Sequence, residues 1–223
     1  MAHCTASLIG RRFLLVGAAT ACGMRGVHAI PPVPDLDRLA FRIVRNGNAI
    51  GTHVLDFVRV DNGLDIHIAV DIAVRFGPLV LFRYTLRGLE QWRGDVVVHV
   101  DATTNDDGTI DDMRADRDAR GLWVQRSQAP RYLAPADALP ATHWNMRALD
   151  GPWINPQDGR LFHPVVQRVG WDQVPLGDGR VEPAADFKLS GDVHMELWYN
   201  AARRWSALLF TARDGSQIRY ELT

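Results

Sequence analysis

The stretch Leu64–Ala73 reads LDIHIAVDIA and follows Asp61-Asn62-Gly63. Leu64, Ile66, Ile68, Val70 and Ile72 recur at every second position, and Asp65, His67, Ala69 and Asp71 fill the places between. Successive side chains on a β-strand point to opposite faces, so this spacing predicts a half-buried strand. Asn62-Gly63 ahead of it accepts the positive φ angles of a tight hairpin turn. The same pattern extends in both directions. Turn signals stand at Asn46-Gly47-Asn48, Phe76-Gly77-Pro78, Arg93-Gly94-Asp95, Asp106-Asp107-Gly108, Asp178-Gly179 and Asp214-Gly215. In Asp95–Asp101, Val96, Val98 and Val100 are expected on the face opposite Asp95, Val97, His99 and Asp101. Arg83, Arg87 and Arg93 alternate with Phe82, Tyr84, Leu86 and Trp92, which reads as arginine outside and aromatic inside.

Strands are therefore expected near 39–45, 49–60, 64–75, 79–92, 95–103, 109–117 and 121–127, then near 161–169, 180–189, 192–199, 203–212 and 216–222. The fold class is mostly β. An antiparallel meander of about 10–12 strands must curl into a barrel-like form or bend into two layers. One segment breaks the rhythm. Residues 128–160 hold Pro130, Pro135, Pro140, Pro152 and Pro156 together with Tyr132, Trp144 and Trp153. Only Ala141–Leu149 there has a helical period, so a long loop with a short helix is expected. Connections of this length in a compact domain are usually functional or flexible.

Composition narrows the class. Of 223 residues, 25 are basic and 26 acidic, which excludes nucleic-acid binding through a global positive field. An apolar fraction of 47% with seven Trp excludes disorder. No uncharged apolar run approaches the ~18 residues of a membrane-spanning helix. Residues 1–29 read as an export signal: Arg11-Arg12 precede Phe13-Leu14-Leu15-Val16 and the small run Gly17–Ala21. Such a twin-arginine pair is similar to signals for the folded-protein (Tat) export machinery. Val27-His28-Ala29 offers cleavage after Ala29, and Pro31, Pro32 and Pro34 make residues 30–38 a spacer. Cleavage there leaves 39–223 as a single β domain. It also removes Cys4 and Cys22, the only cysteines, and with them any disulfide or thiolate chemistry. The expected location is the periplasm. The rival is a lipid anchor through Cys22, since Ala19-Thr20-Ala21-Cys22-Gly23 faintly resembles a lipoprotein cleavage box.

Several strings together resemble one family. They are FRIVRNGNAIGTHVLDF at 41–57, FGPLVLFRY at 76–84, TNDDG at 104–108, APADALPATHWN at 134–145, QDGRL at 157–161, LSGDVHMELWYN at 189–200 and DGSQIRYEL at 214–222. In these the chain resembles domain-of-unknown-function family 6134, from about Leu39 to the C-terminus. PATHWN and QDGRL are the most specific. The resemblance implies an exported, mostly proteobacterial protein. It implies no activity, cofactor or catalytic residue.

Chemical constellations are sparse. Beyond residue 29 the serines are Ser127, Ser190, Ser206 and Ser216, none in a G-x-S-x-G elbow. His67 with Asp65 and Asp71, His99 with Asp101, and His194 with Glu196 share strand faces as zinc ligands would, but the polar face of a half-buried strand is where His and Asp belong, and no H-E-x-x-H or C-x-x-C spacing supports a site. The carboxylates Asp106, Asp107, Asp111 and Asp112 cluster as at a solvated hairpin tip. No catalytic residue, metal or cofactor is assigned.

The expected function is binding of an apolar or amphipathic, lipid-like ligand, or of an envelope partner. The alternative is a hydrolase of envelope material with its site under 128–160. His143, Trp144 and Asn145 are the candidate ligand-binding residues, because they set an imidazole, an indole and an amide side by side in that segment. The competing expectation is that Trp144 plugs the barrel. An apolar cavity favours ligand binding, a cleft with His143 beside a perturbed carboxylate favours an enzyme, and a filled core with a bare edge strand favours docking.

Overall fold

The computed structural model describes residues 37–127 and 129–223. The export signal at 1–29, with Arg11, Arg12, Cys22 and Ala29, lies outside them, as does the spacer up to residue 36. Eight strands run in series: β1 (Arg38–Arg45), β2 (Asn48–Val60), β3 (Gly63–Phe76), β4 (Leu79–Arg93), β5 (Val96–Asp106), β6 (Thr109–Asp118), β7 (Gly121–Arg126) and β8 (Ala129–Leu133). Three two-residue strands follow, β9 (Leu139–Pro140), β10 (Trp153–Ile154) and β11 (Leu161–Phe162), with a 3-10 turn at Met146–Asp150 between the first two. The last five are β12 (Pro164–Pro175), β13 (Val181–Gly191), β14 (Met195–Asn200), β15 (Trp205–Thr211) and β16 (Gln217–Leu222).

Thirteen strands form one antiparallel sheet in the order β12-β13-β14-β15-β16-β1-β2-β3-β4-β5-β6-β7-β8. It does not close: β8 and β12 are its free edges. β1 pairs with β16, Phe41 opposite Leu222, so the two ends of the domain meet mid-sheet. β11-β10-β9 make a separate three-stranded sheet.

The period-two reading of Leu64–Ala73 holds. Leu64, Ile66, Ile68 and Val70 are all buried at 5% exposure or less. Asn46-Gly47 and Asp107-Gly108 both take positive φ, as mirror-image hairpin turns require. One expectation is corrected. In β5, Val97 and Val100 are buried while Val96 is 39% exposed. The pairing slips between Gln91/His99 and Trp92/Val97, so Val98 is an extra, bulged residue that reverses the alternation before it.

The break at 128–160 also differs in detail. Its first part is β8, another meander strand. The helical period at Ala141–Leu149 yields only the five-residue 3-10 turn, begun by Asn145, whose Oδ1 accepts from Arg147 N. The expected strand at 161–169 divides into β11 and the longer β12.

The buried side of residues 134–163 lies inside the curl of the sheet, while Ala136, Asp137, Arg147, Asp150, Gln157 and Arg160 stay exposed. Phe57 of β2, Trp92 of β4 and Trp205 of β15 all pack on His143 or Trp144. Strands that far apart in the sheet reach the same dipeptide only if the sheet wraps around it. The segment is thus an internal plug. It contributes Trp144, Trp153 and Ile154 to the main apolar core.

Candidate functional site

Glu90 anchors the plug. β4 faces the interior with Leu86, Glu90 and Trp92, so a carboxyl occupies an apolar phase of the strand and is fully buried. Every bond it makes is as acceptor. Thr142 Oγ1 donates to Oε1 at 2.5 Å, and the indole N–H groups of Trp92 and Trp144 donate to Oε2 at 2.9 and 3.1 Å. Burial pushes the Glu90 pKa up, and the three donors oppose that shift. The Trp92 and Trp144 rings meet edge-to-face at 5.2 Å, with Phe57 against Trp144 at 5.6 Å.

His143 lies next to this clamp in a left-handed backbone conformation, φ +65°. That costs about 1–3 kcal/mol for a non-glycine residue. Its carbonyl accepts from the Tyr199 hydroxyl at 2.9 Å, which helps hold the turn. Its ring packs edge-on to Trp153 and Trp205, each at 5.3 Å. The residue as a whole keeps some exposure, but Nδ1 is sealed from solvent without a partner. On the far side, His53 of β2 packs edge-on to Trp205 at 5.4 Å and Tyr220 at 5.7 Å, with both ring nitrogens buried and unpartnered. A buried imidazole without hydrogen-bond partners is least costly when neutral. Burial, and then the neighbouring His143, push His53 down to about 3; burial pushes His143 down to about 4.

Of the three candidate residues, Trp144 is 2% and Asn145 4% exposed. Asn145 spends its Oδ1 on the 3-10 turn and leaves Nδ2 buried without a partner. The three are adjacent, but they project into packed core. Two surface depressions, about 490 and 280 Å³, lie over β5–β7 and beside the Gly94-Asp95 turn, and none of the three residues lines either. The QDGRL string closes the other end of the plug: Tyr132 donates to Gly159 O at 2.8 Å, and Arg126 Nε to Asp158 O at 3.0 Å.

Other candidates are dispersed. His99 pairs with Asp116 across β5 and β6 at 2.8 Å, and His67 is exposed. Among the described residues no three His, Cys, Asp or Glu side chains gather to hold a metal. Nor is any helix among them long and apolar enough to cross a membrane. Sequence reading passed over Glu90 and His53. The signal for both was present: a titratable side chain at an inward phase of an alternating strand.

No curated protein matches the chain. Among solved structures, it resembles the crystal structure of a β-barrel-like protein of domain of unknown function DUF1849 from Brucella abortus. The TM-score is 0.56 at 9% identity, covering 83% of this chain and 94% of that one. At that identity the likeness concerns the fold alone. The family model for the domain of unknown function DUF6134 matches residues 41–223, from β1 to the C-terminal residue, so the chain belongs to the DUF6134 family.

Proposed function

We propose that the protein is an exported, non-enzymatic docking module of the cell envelope, and that a partner chain adds an extended segment to the free edge of β12. The observation that carries this is the contrast between the two edges. Natural sheets blunt their edges with short strands, prolines or lysines. β8 does so, with five residues that include Pro130. β12 is twelve residues long, and its prolines, Pro164 and Pro175, stand only at its ends. It exposes Val165, Val169 and Trp171 at 62, 51 and 57%. Its one bulge, at Val169, leaves straight stretches on either side. A partner strand there would satisfy the free backbone groups and cover these apolar side chains, with Arg168 and Asp172 available to fix its register. A photo-crosslinking residue at Gln173, installed in the native bacterium, should trap one discrete species, and the same residue at Arg131 of β8 should trap none. Absence of a product at Gln173 and at Gln167 would reject the docking edge.

Export is supported by the leader composition. Changing Arg11 and Arg12 together to Lys should block translocation by the Tat machinery, and the released chain should begin at Ile30. An acylated Cys22 at the N-terminus would instead establish the lipid anchor.

A second reading keeps His143, Trp144 and Asn145 as ligand-binding residues. The buried, unpartnered nitrogens of His53, His143 and Asn145 favour it, since a small molecule with polar groups would satisfy them. Native mass spectrometry of the protein from its own host tests it. A retained molecule lost on His143→Ala without loss of fold supports a site.

A further inference from the structure

The two longest strands outrun their neighbours. β2 follows β3 only as far as Ile72, which pairs with Gly51. β5 follows β4 only as far as Tyr84, which pairs with Asp106. Residues 73–83 are therefore a two-stranded ribbon with no strand beside it on either side. Such a ribbon alone in water is marginal. This one carries Val74, Phe76, Pro78, Leu79, Val80, Leu81 and Phe82, with Phe76, Leu79 and Leu81 exposed at 77, 60 and 56%. Directly paired residues share a face: Phe76 with Leu79 on one, Val80 beside Arg75 on the other. One face is thus apolar, with Val74, Phe76, Leu79 and Phe82, and the other carries Arg75 and Arg83 beside Ala73 and Val80. The only charges are Arg75 and Arg83, both exposed and neither in an ion pair among the described residues. Asp107 accepts from the backbone N–H of Arg83 rather than from its guanidinium.

We propose that this ribbon inserts its Phe76–Leu79 tip into the headgroup region of an anionic phospholipid bilayer. The ribbon is amphipathic: an exposed apolar face is backed by two arginines that no carboxylate among the described residues pairs with. The boundary between headgroups and acyl chains accepts such an apolar face while the cationic face stays among the headgroups. Arg75 lies one pair from the Phe76–Leu79 tip and Arg83 two pairs further back on the same face, and guanidinium matches phosphate in charge and geometry. The ribbon and the β12 edge are separate surfaces, so one can fail without the other.

The test is co-sedimentation of the protein, isolated as its host processes it, with vesicles of phosphatidylglycerol and phosphatidylethanolamine or of phosphatidylcholine alone. Binding should be strong to the anionic vesicles, weak to the neutral ones, and reduced by high salt. Phe76→Ser with Leu79→Ser should lower the partition coefficient at least tenfold while the thermal midpoint stays unchanged, because the tip lies outside the core. Arg75→Glu with Arg83→Glu leaves the apolar tip intact and should also lower anionic binding about tenfold or more. Equal binding by wild type and both variants, or no binding to anionic vesicles, overturns the proposal. So does a dimer in solution that the Phe76→Ser, Leu79→Ser variant abolishes, since a second copy would then be what covers the ribbon.

Discussion

Trp144 and Glu90 join the plug to the sheet: the indole N–H donates to the buried carboxyl. Trp144→Ala removes an indole packed on Phe57 and Trp92 and takes one donor from a buried carboxyl. Loss of a buried aromatic of this kind costs about 3–5 kcal/mol, readable by urea denaturation. Glu90→Ala should also be severe, because it strands the Trp92 and Trp144 N–H groups and the Thr142 hydroxyl. Glu90→Gln should be tolerated: its oxygen can accept both indoles while its amide donates to Thr142. The histidines set the pH response. His53 and His143 have folded pKa values near 3 and 4, below the ordinary histidine value of 6.5, so the unfolded chain binds protons that the folded one does not. Their contribution is complete above pH 6.5 and is lost as pH falls toward 4 and 3, by up to about 1.4 kcal/mol per pH unit for each ring. Glu90, with its pKa raised from 4.5, acts in the opposite sense: its contribution is present below 4.5 and is lost as pH rises through the folded value. His53→Leu should flatten the acid limb of thermal stability, and Glu90→Gln, by removing the opposing titration, should steepen it above pH 4.5 and raise stability at neutral pH. An unchanged acid limb in His53→Leu would mean that the ring is charged in the folded state.

At the scale of elements, hairpins and bulges divide what was legible from what was not. Gly47 and Gly51 look alike in the string NGNAIG, yet they do different work. Gly47 has φ +85° and open space where a Cβ would stand, whereas a Cβ on Gly51 would sit 2.0 Å from the carbonyl oxygen of Asp71. Gly47→Ala should cost about 1–2 kcal/mol from backbone strain alone. Gly51→Ala should cost more, because backbone of β3 must move, and a comparison of the two thermal midpoints checks this. The Val98 bulge was invisible because Val96, Val97, Val98 and Val100 are chemically equivalent; nothing local says which valine is extra. The plug was legible as an anomaly in proline and aromatic content, and Trp144 as its core-filling residue, but the two-residue strands and the Glu90 clamp that hold it were not. Replacing 134–163 by a Gly-Ser linker should abolish cooperative unfolding and expose dye-binding apolar surface. A sharp two-state transition in that variant would show that the sheet stands without its plug.

The whole molecule depends on a seam between chain ends. β16 is bonded to β15 on one side and β1 on the other. Removing residues 217–223 would split the thirteen strands into β12–β15 and β1–β8. The truncated chain should fail to fold, by near-ultraviolet circular dichroism and protease resistance. Phe41 and Leu222 must meet across nearly the whole domain before the sheet is complete, so refolding should be slow, in the millisecond-to-second range or beyond. A folded truncation product would mean that the two halves are independent.

The amino-acid sequence by itself determined the β class, the antiparallel pairing of successive strands, the positions of the hairpin turns and the family, because each rests on contacts between residues near in the chain or on strings read directly. Period-two patterning names the inward face of β3 without knowledge of its neighbours. Only the tertiary structure decided that the sheet stays open, that β1 meets β16, that Glu90 and His53 lie inside, and that Thr142, His143, Trp144 and Asn145 fill the interior. Those outcomes depend on how far a twisted sheet curls and on which side of it a long connection falls. Both are set by summed packing across distant strands, which no local pattern encodes.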